Sequence, residues 1–258
     1  ANLGQVTLAT GGRALLTGNL DNTGATLIAP SGGPFELLGG TITGGIIGSG
    51  ALAFSNSGGT VNNVTFQGLV NLPSGTYGYL SGTTTLSGGA LSLTGSSFLY
   101  LSGLNAALSL DADSSATGQL RIFPDGSAGS SLTNSGSLLH TTSTGEIYAH
   151  TFSNLGTIAA SAGTLALGST TAGLVFTNQE GALVRVTGTG TVNLRSPGGA
   201  AIPNYGRIEV QSGTLLTSNR LRNEAGSFLG GAGTINGAFA LAGARSEEHT
   251  SELQSPCN

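Results

Sequence analysis

Three aspartates between residues 111 and 125 are the residues of this chain best suited to chemistry. Asp111 and Asp113 in "LDADSSATG", together with Ser115, place oxygen atoms at positions one, three and five of a calcium-loop pattern. An EF-hand loop also requires Gly at position six and Glu at position twelve. This chain has Ala116 and Ile122 there. We therefore expect a solvated turn and no calcium site.

The same two aspartates, with Asp125 of "FPDGS", would be the carboxylates of a polysaccharide enzyme. Hydrolysis needs two carboxyl groups about 5 to 9.5 Å apart, one of them with a raised pKa. A lyase needs a basic residue, and the only one close in sequence is Arg121. "FPDG" is also an ordinary turn sequence. We expect no enzyme and assign no catalytic residue, and a β-helical polysaccharide hydrolase or lyase is the alternative function.

His140 and His150, with Glu146 between them, are the next candidates, because these side chains bind zinc. A catalytic zinc site needs three protein ligands and a structural site needs four. These three residues would suffice for a catalytic site only if a turn brought all of them together. We expect exposed histidines on neighbouring strands, and no metal site or cofactor.

Five arginines between residues 185 and 222 raise the question of an acidic ligand. Arg185 and Arg207 are 22 residues apart, so they would stack if the chain repeated at that length. Spaced charges on outer strands also keep a β-protein soluble, and we favour that interpretation. The five are Arg185, Arg195, Arg207, Arg220 and Arg222.

The composition excludes several classes of protein. Only 8% of the residues are charged, against roughly 25% in an ordinary domain. The net charge is −4, so the chain lacks the basic footprint of a nucleic-acid-binding protein. The sequence contains no run of about 18 apolar residues, so it predicts no membrane span in this fragment. We expect a soluble or extracellular monomer.

Two short units recur along the chain and indicate how it folds. One is an asparagine followed by glycine, which returns every 19 to 26 residues from Asn134 onward. The other is Gly-Thr followed by an aliphatic residue. Between them lie short alternating runs, which predict strands with one apolar face. The residues predicted on that face are Val64, Phe66, Leu91, Leu93, Leu165, Leu167, Ile208 and Val210.

The length of the repeat distinguishes between all-β folds. Hairpin sandwiches show turn signals every 8 to 12 residues, whereas a repeat of about 20 to 26 residues matches one turn of a stacked solenoid. The sequence therefore predicts an all-β, right-handed parallel β-helix of roughly twelve irregular coils. We expect inward Leu, Ile, Val and Phe, solvated outward Ser, Thr and Asn, and Gly and Asn at positive φ in the turns.

The repeats also resemble a known group of proteins. "F-x-N-x-G … G-T-L … L … F-x-N" in residues 152 to 240 and "GGTITGGIIGSG … VNNVTFQG … LVNL" in residues 39 to 72 resemble repeats of bacterial autotransporter passengers and filamentous-haemagglutinin-like proteins. "LGGAGTINGAFALAG" at 229 to 243 is similar to their "G-x-G-T-I-x-G" coil. This resemblance implies a β-helix exported to the bacterial cell surface.

The last stretch, "RSEEHTSELQSPCN" at residues 245 to 258, differs in composition from the rest. Its first eleven residues match the in-frame translation of a common short-read sequencing adapter. We therefore expect 1–244 to be a β-helix segment of a larger protein and 245–258 to be an artefact. In that case no function belongs to His249, Glu247, Glu248 or Cys257, which is the only cysteine of the chain.

These observations predict a non-enzymatic stalk with an adhesive role. Stacked backbone hydrogen bonds would make it stiff, and its outer polar strands would contact surface glycans or the surfaces of host or neighbouring cells. The expected location is extracellular, on the outer surface of a bacterium.

Overall fold

A computed structural model describes residues 6–9, 12–171 and 173–241, which are almost entirely short parallel β-strands. One 3₁₀ turn, Pro197–Gly199, is the exception to the strands and turns of these ranges. No helix in the described ranges is long and apolar enough to cross a membrane. The segment 245–258, with His249 and Cys257, lies outside the described residues.

The strands have two to five residues and come in groups of three, each group forming one coil. The first four coils contain β1 (Ala14–Leu16), β2 (Asn19–Asp21), β3 (Thr26–Leu27), β4 (Phe35–Leu37), β5 (Thr41–Thr43), β6 (Ile46–Ile47), β7 (Leu52–Phe54), β8 (Thr60–Asn62), β9 (Thr65–Phe66), β10 (Leu69–Leu72), β11 (Tyr77–Ser81) and β12 (Thr83–Leu86). The next four contain β13 (Ala90–Leu93), β14 (Phe98–Leu101), β15 (Ala107–Leu110), β16 (Ser115–Gly118), β17 (Arg121–Pro124), β18 (Ser131–Asn134), β19 (Ser137–His140), β20 (Thr144–Ile147), β21 (Thr151–Asn154), β22 (Thr157–Ala160), β23 (Thr164–Leu167) and β24 (Val175–Asn178). The last three contain β25 (Leu183–Val186), β26 (Thr191–Leu194), β27 (Ile202–Asn204), β28 (Arg207–Val210), β29 (Thr214–Thr217), β30 (Leu221–Asn223), β31 (Phe228–Gly230), β32 (Thr234–Asn236) and β33 (Phe239–Leu241).

Each coil adds one strand to each of three parallel sheets. The first sheet runs from β1 in steps of three to β31, the second from β2 to β32, and the third from β3 to β33. Each of these 11-stranded sheets pairs strands that are one whole coil apart in sequence. The predicted all-β parallel solenoid is confirmed, with about eleven coils in the described residues against roughly twelve expected.

The predicted apolar face forms the core of the solenoid. All eight residues assigned to it are at most 2% exposed, from Val64 to Val210. The register between coils places similar residues next to each other. Phe152 of β21 pairs with Phe176 of β24, and their ring centroids are 5.0 Å apart. Burial of these stacked side chains supplies the main driving force for folding.

The Gly-Thr unit marks one corner of the coil. Six of its seven copies place threonine at the first position of a second-sheet strand, and only Thr157 opens a first-sheet strand instead. A Cβ atom at Gly190 would lie 2.4 Å from the carbonyl oxygen of Ala160 in the coil below. Glycine recurs before the threonine because the neighbouring coil approaches too closely for any side chain.

The repeated asparagines form a buried ladder at the end of the third-sheet strands. In each step the side-chain amide donates to the Oδ1 atom of the next asparagine, at 2.8 Å from Asn134 to Asn154 and 2.7 Å from Asn178 to Asn204. The amide also donates to a first-sheet carbonyl, as Asn178 does to Arg207 at 3.2 Å. The ladder therefore ties the third sheet to the first. Its members are Asn134, Asn154, Asn178, Asn204 and Asn223.

The expectation that these asparagines are solvated and adopt positive φ is wrong. The five ladder residues are at most 2% exposed, and the described non-glycine residues at positive φ are Asn63, Asn105 and Ser143. Asn22 and Asn56, from the same sequence unit, lie at other corners. Asn22 is buried after β2, and Asn56 is exposed after β7. A stacked amide satisfies its own hydrogen bonds, so burial costs little.

This contrast gives a matched test of the ladder. We expect Asn178→Ala to lower the free energy of unfolding by about 2–4 kcal/mol, because it orphans buried groups on both sides. Asn56→Ala should change it by less than about 0.5 kcal/mol, since the side chain is exposed. Urea unfolding followed by circular dichroism measures both. Equal effects of the two substitutions would contradict the ladder.

One inward position of the first sheet holds a histidine. His140 is 0% exposed and pairs with Gly118 below and Ala160 above, which are both small. Its Nδ1 atom accepts a hydrogen bond from the Leu120 amide, and Nε2 lies 3.3 Å from the Ser143 carbonyl. The expected exposed histidine is therefore wrong for this residue, because two small neighbours leave room inside for the ring. Burial lowers the pKa of His140, which favours its neutral form.

A lowered pKa makes stability depend on pH in one direction. The unfolded chain binds a proton at His140 below about pH 6.5, whereas the folded chain binds it only at a lower pH. Stability should be complete above that pH and fall as the pH decreases toward 5, by at most about 1.4 kcal/mol per pH unit. His140→Leu should flatten this dependence, as measured by thermal unfolding at each pH. A slope unchanged in His140→Leu would refute the assignment.

Candidate functional site

Six aromatic rings gather on the outer surface of the second sheet, over four consecutive coils. Four are tyrosines, and the chain has five tyrosines in all. All six are half-buried, whereas the coils on either side place threonine, asparagine or alanine outward. We call this surface the aromatic face; it consists of Tyr77, Tyr79, Phe98, Tyr100, Phe123 and Tyr148.

The sheet register aligns the rings in two columns along the solenoid. Tyr79 of β11 pairs with Tyr100 of β14, which pairs with Phe123 of β17. Tyr148, directly after β20, stacks on Phe123 with ring centroids 5.3 Å apart. In the second column Tyr77 pairs with Phe98. Rings therefore repeat at the strand spacing of about 4.8 Å.

The rings contact one another in both stacked and edge-on arrangements. Tyr79 and Tyr100 stack with centroids 5.3 Å apart and planes at 23°. Tyr100 and Phe123 meet edge-to-face at 5.1 Å and 88°. The ring orientation changes between these two pairs, so the face combines ring edges with ring planes. Burial by these neighbours, with the added charge of Tyr79 and Tyr77, raises the pKa of Tyr100.

A polar cluster closes one end of the aromatic face. Glu146 Oε1 lies 3.3 Å from Arg195 Nη1, although the two residues are 49 apart in sequence. The coil between them places the small residue Ala166 in register with Glu146, so Arg195 reaches across that coil. Burial, followed by the carboxylate of Glu146, raises the pKa of Tyr148 beside this pair.

A column of hydrogen-bonding groups runs beside the rings. Ser81 ends β11, Ser102 follows β14, and Asp125 follows β17. The Ser102 hydroxyl donates to the Asp125 carboxylate at 2.7 Å. On the other side, the Arg121 guanidinium lies 4.9 Å above the Phe98 ring centroid, a cation–π contact. The arrangement can bind a ligand that has both an apolar surface and hydroxyl groups.

The sequence-based predictions did not include this face, although the chain contains a signal for it. "TYGYL", "FLYL" and "RIFP" share an alternation in which outward positions hold aromatic residues, with Arg121 as the exception. Only the register between coils shows that these residues fall on one surface, and the alternation alone does not specify that register.

The three candidate aspartates do not form a common site. Asp111 follows β15 at the turn from the third sheet to the first, whereas Asp125 lies at the turn from the second sheet to the third. Asp113 is exposed in the first of these turns. Hydrogen bonds from Ser114 and the Gly88 amide lower the pKa of Asp111.

Asp125 does not have the properties of a general acid either. Burial raises its pKa, but hydrogen bonds from Ser102 and the Ser127 amide outweigh that effect and lower it. A hydrolase needs a carboxyl group with a raised pKa. These carboxylates therefore give the enzyme alternative no support.

The candidate zinc ligands lie on different surfaces. His140 is in the core, Glu146 is on the outer surface of the second sheet, and His150 is next to Ser130 before β21, with Nδ1 2.9 Å from the serine oxygen. In the described ranges no three His, Cys, Asp or Glu residues are grouped to hold a metal ion.

The five arginines do not share one surface, and four of them form ion pairs. Arg185 and Arg207 both bind Glu209, Arg195 binds Glu146, and Arg222 binds Glu224. These pairs lie on three different sheets or their corners. Pairing with carboxylates lowers the attraction of the arginines for an acidic glycan, so the structure favours their role as surface charges.

Comparison with protein-family models finds no match for this chain. Neither the curated proteins nor the solved structures give a significant match. Function must therefore be inferred from the solenoid and the aromatic face themselves.

Proposed function

We propose that this chain is a non-enzymatic segment of the stalk of a large exported bacterial surface protein, with an adhesive role. The observation that carries the proposal is the continuity of the three parallel sheets along the described coils. Each coil is bonded to its neighbours on three sides. A rod built in this way resists bending and holds its outer faces at fixed positions.

The adhesive part of the proposal is supported by the aromatic face. Large half-buried aromatic side chains on an outer surface are typical of binding surfaces. A resemblance to autotransporter passengers and filamentous-haemagglutinin-like repeats supports export and a bacterial cell-surface location. Glycans or the surfaces of other cells are the proposed partners, and the proposed state is a monomer.

A stalk should accept additional coils without loss of structure. We expect three extra copies of residues 183–206, inserted after residue 206, to lengthen the particle by about 14 Å, because coils stack at about 4.8 Å. The asparagine ladder would continue through the insert. Small-angle X-ray scattering measures the length, and circular dichroism measures the strand content.

A half-coil insert is the matched control. Three copies of residues 183–194 carry first-sheet and second-sheet strands without a third-sheet strand, so they cannot continue the stack. A whole-coil insert that unfolds the protein, or leaves its length unchanged, would rule out a modular stalk.

The surface location requires a separate test. We expect antibodies against the recombinant chain to label intact source cells, and external protease to remove the signal. Labelling only after the cells are permeabilised would refute a surface location and leave the stalk geometry untouched.

A further inference from the structure

We propose that the aromatic face is a binding site for a linear, uncharged glycan that lies parallel to the solenoid axis. This inference rests on the proposed adhesive function and specifies its site and its ligand class. Three features of the face carry it: its repeat, its charge and its polar end.

The face repeats like a polymer. The column of Tyr79, Tyr100 and Phe123 runs beside the column of Ser81, Ser102 and Asp125, and both advance by one coil at a time. Each step of about 4.8 Å therefore offers one aromatic ring and one hydrogen-bonding group. A glycan chain presents the complement at each unit, since the C–H face of a sugar ring packs on an aromatic ring and its hydroxyls donate and accept hydrogen bonds.

The charges on the face favour a ligand without charge. Arg121 and Arg195 are balanced by Glu146 and Asp125, so these four groups sum to zero. Glu146 and Arg195 are already paired with each other. The side chain of Glu146 is 38% exposed and that of Arg195 is 31% exposed. An acidic or basic polymer would meet like charges as often as opposite ones, whereas sugar hydroxyls bind both carboxylates and guanidinium groups.

The polar cluster gives the site an end. Beyond Tyr148 the next coil places two small, buried residues, Ala166 and Gly168, beside Glu146 and Tyr148. Gly168 has φ +79°, and a Cβ atom at this position would lie 2.3 Å from the carbonyl oxygen of Arg195. The backbone itself therefore requires glycine there. The Glu146–Arg195 pair joins the coils on either side of them, and its exposed groups can bond the hydroxyls of a terminal sugar.

The simpler alternative is that the rings only stabilise the sheet. Cross-strand aromatic pairs contribute about 0.2–1 kcal/mol each to stability. The chain itself provides the means to separate the two roles, because Thr60 of β8 occupies the position of Tyr79 one coil earlier, and Thr41 of β5 occupies it two coils earlier. Threonine therefore fits this column without altering the backbone.

The test uses the intact chain with Tyr79→Thr, Tyr100→Thr and Phe123→Thr combined. Titration calorimetry with cellohexaose and maltohexaose as neutral probes, and hexagalacturonate as the acidic probe, measures binding. We expect at least one neutral hexasaccharide to bind, the acidic probe to bind at least tenfold more weakly, and the triple variant to lose about tenfold or more in affinity. Tyr205→Thr, which removes an exposed tyrosine elsewhere, should leave binding unchanged.

Several outcomes would overturn the proposal. They are no binding of either neutral probe at millimolar concentration, binding that the triple variant retains, and preference for hexagalacturonate. Self-association that disappears in the triple variant, without glycan binding, would identify a second copy of the chain as the occupant.

Equal circular dichroism of wild type and triple variant shows that the variant is folded. The coil-insertion experiment uses no ligand, so failure of the glycan site and failure of the stalk are distinguished.

Discussion

The parallel pairing of each strand with the strand one coil away is the constraint that sets the rest of the structure. It fixes which residue lies above which, for every inward and outward position of all three sheets. Apolar residues must then occupy equivalent inward positions in successive coils, because a slip of one residue would turn the apolar face outward. The buried aliphatic ladders, the asparagine ladder and the aromatic face are all consequences of this single register.

Register also explains how buried polar groups are accommodated. A lone asparagine in the core would leave its amide without partners, but stacked asparagines satisfy one another and the adjacent backbone. The exception is Oδ1 of Asn134, which has no hydrogen-bond partner among the described residues. The preceding coil places Leu110 at the paired position. His140 is buried by a different route, since the glycines at 118 and 145 leave space for its ring.

The outer surface is free of these restrictions, and its composition changes along the rod. On the second sheet, the column that holds Thr41 and Thr60 carries aromatic residues in the next four coils, from Tyr79 to Tyr148. A solenoid can carry such a patch without affecting its core, because inward and outward residues alternate along each strand. This independence allows a structural rod to have a local binding surface.

Local patterns in the sequence were enough to predict the fold class, the apolar face and the approximate number of coils. Alternation with period two and a repeat near 20 to 26 residues are properties of neighbouring residues, and they hold whatever the exact coil boundaries are. Which copies of a repeated unit are equivalent depends instead on pairing between coils. Asn56 and Asn178 look alike in sequence, yet one is exposed and the other is buried. Coil lengths vary, so small differences in turn length move a residue to another corner. For the same reason the shared column of Tyr79, Tyr100 and Phe123 could not be predicted from the sequence, because register between coils is set by strands that pair across space.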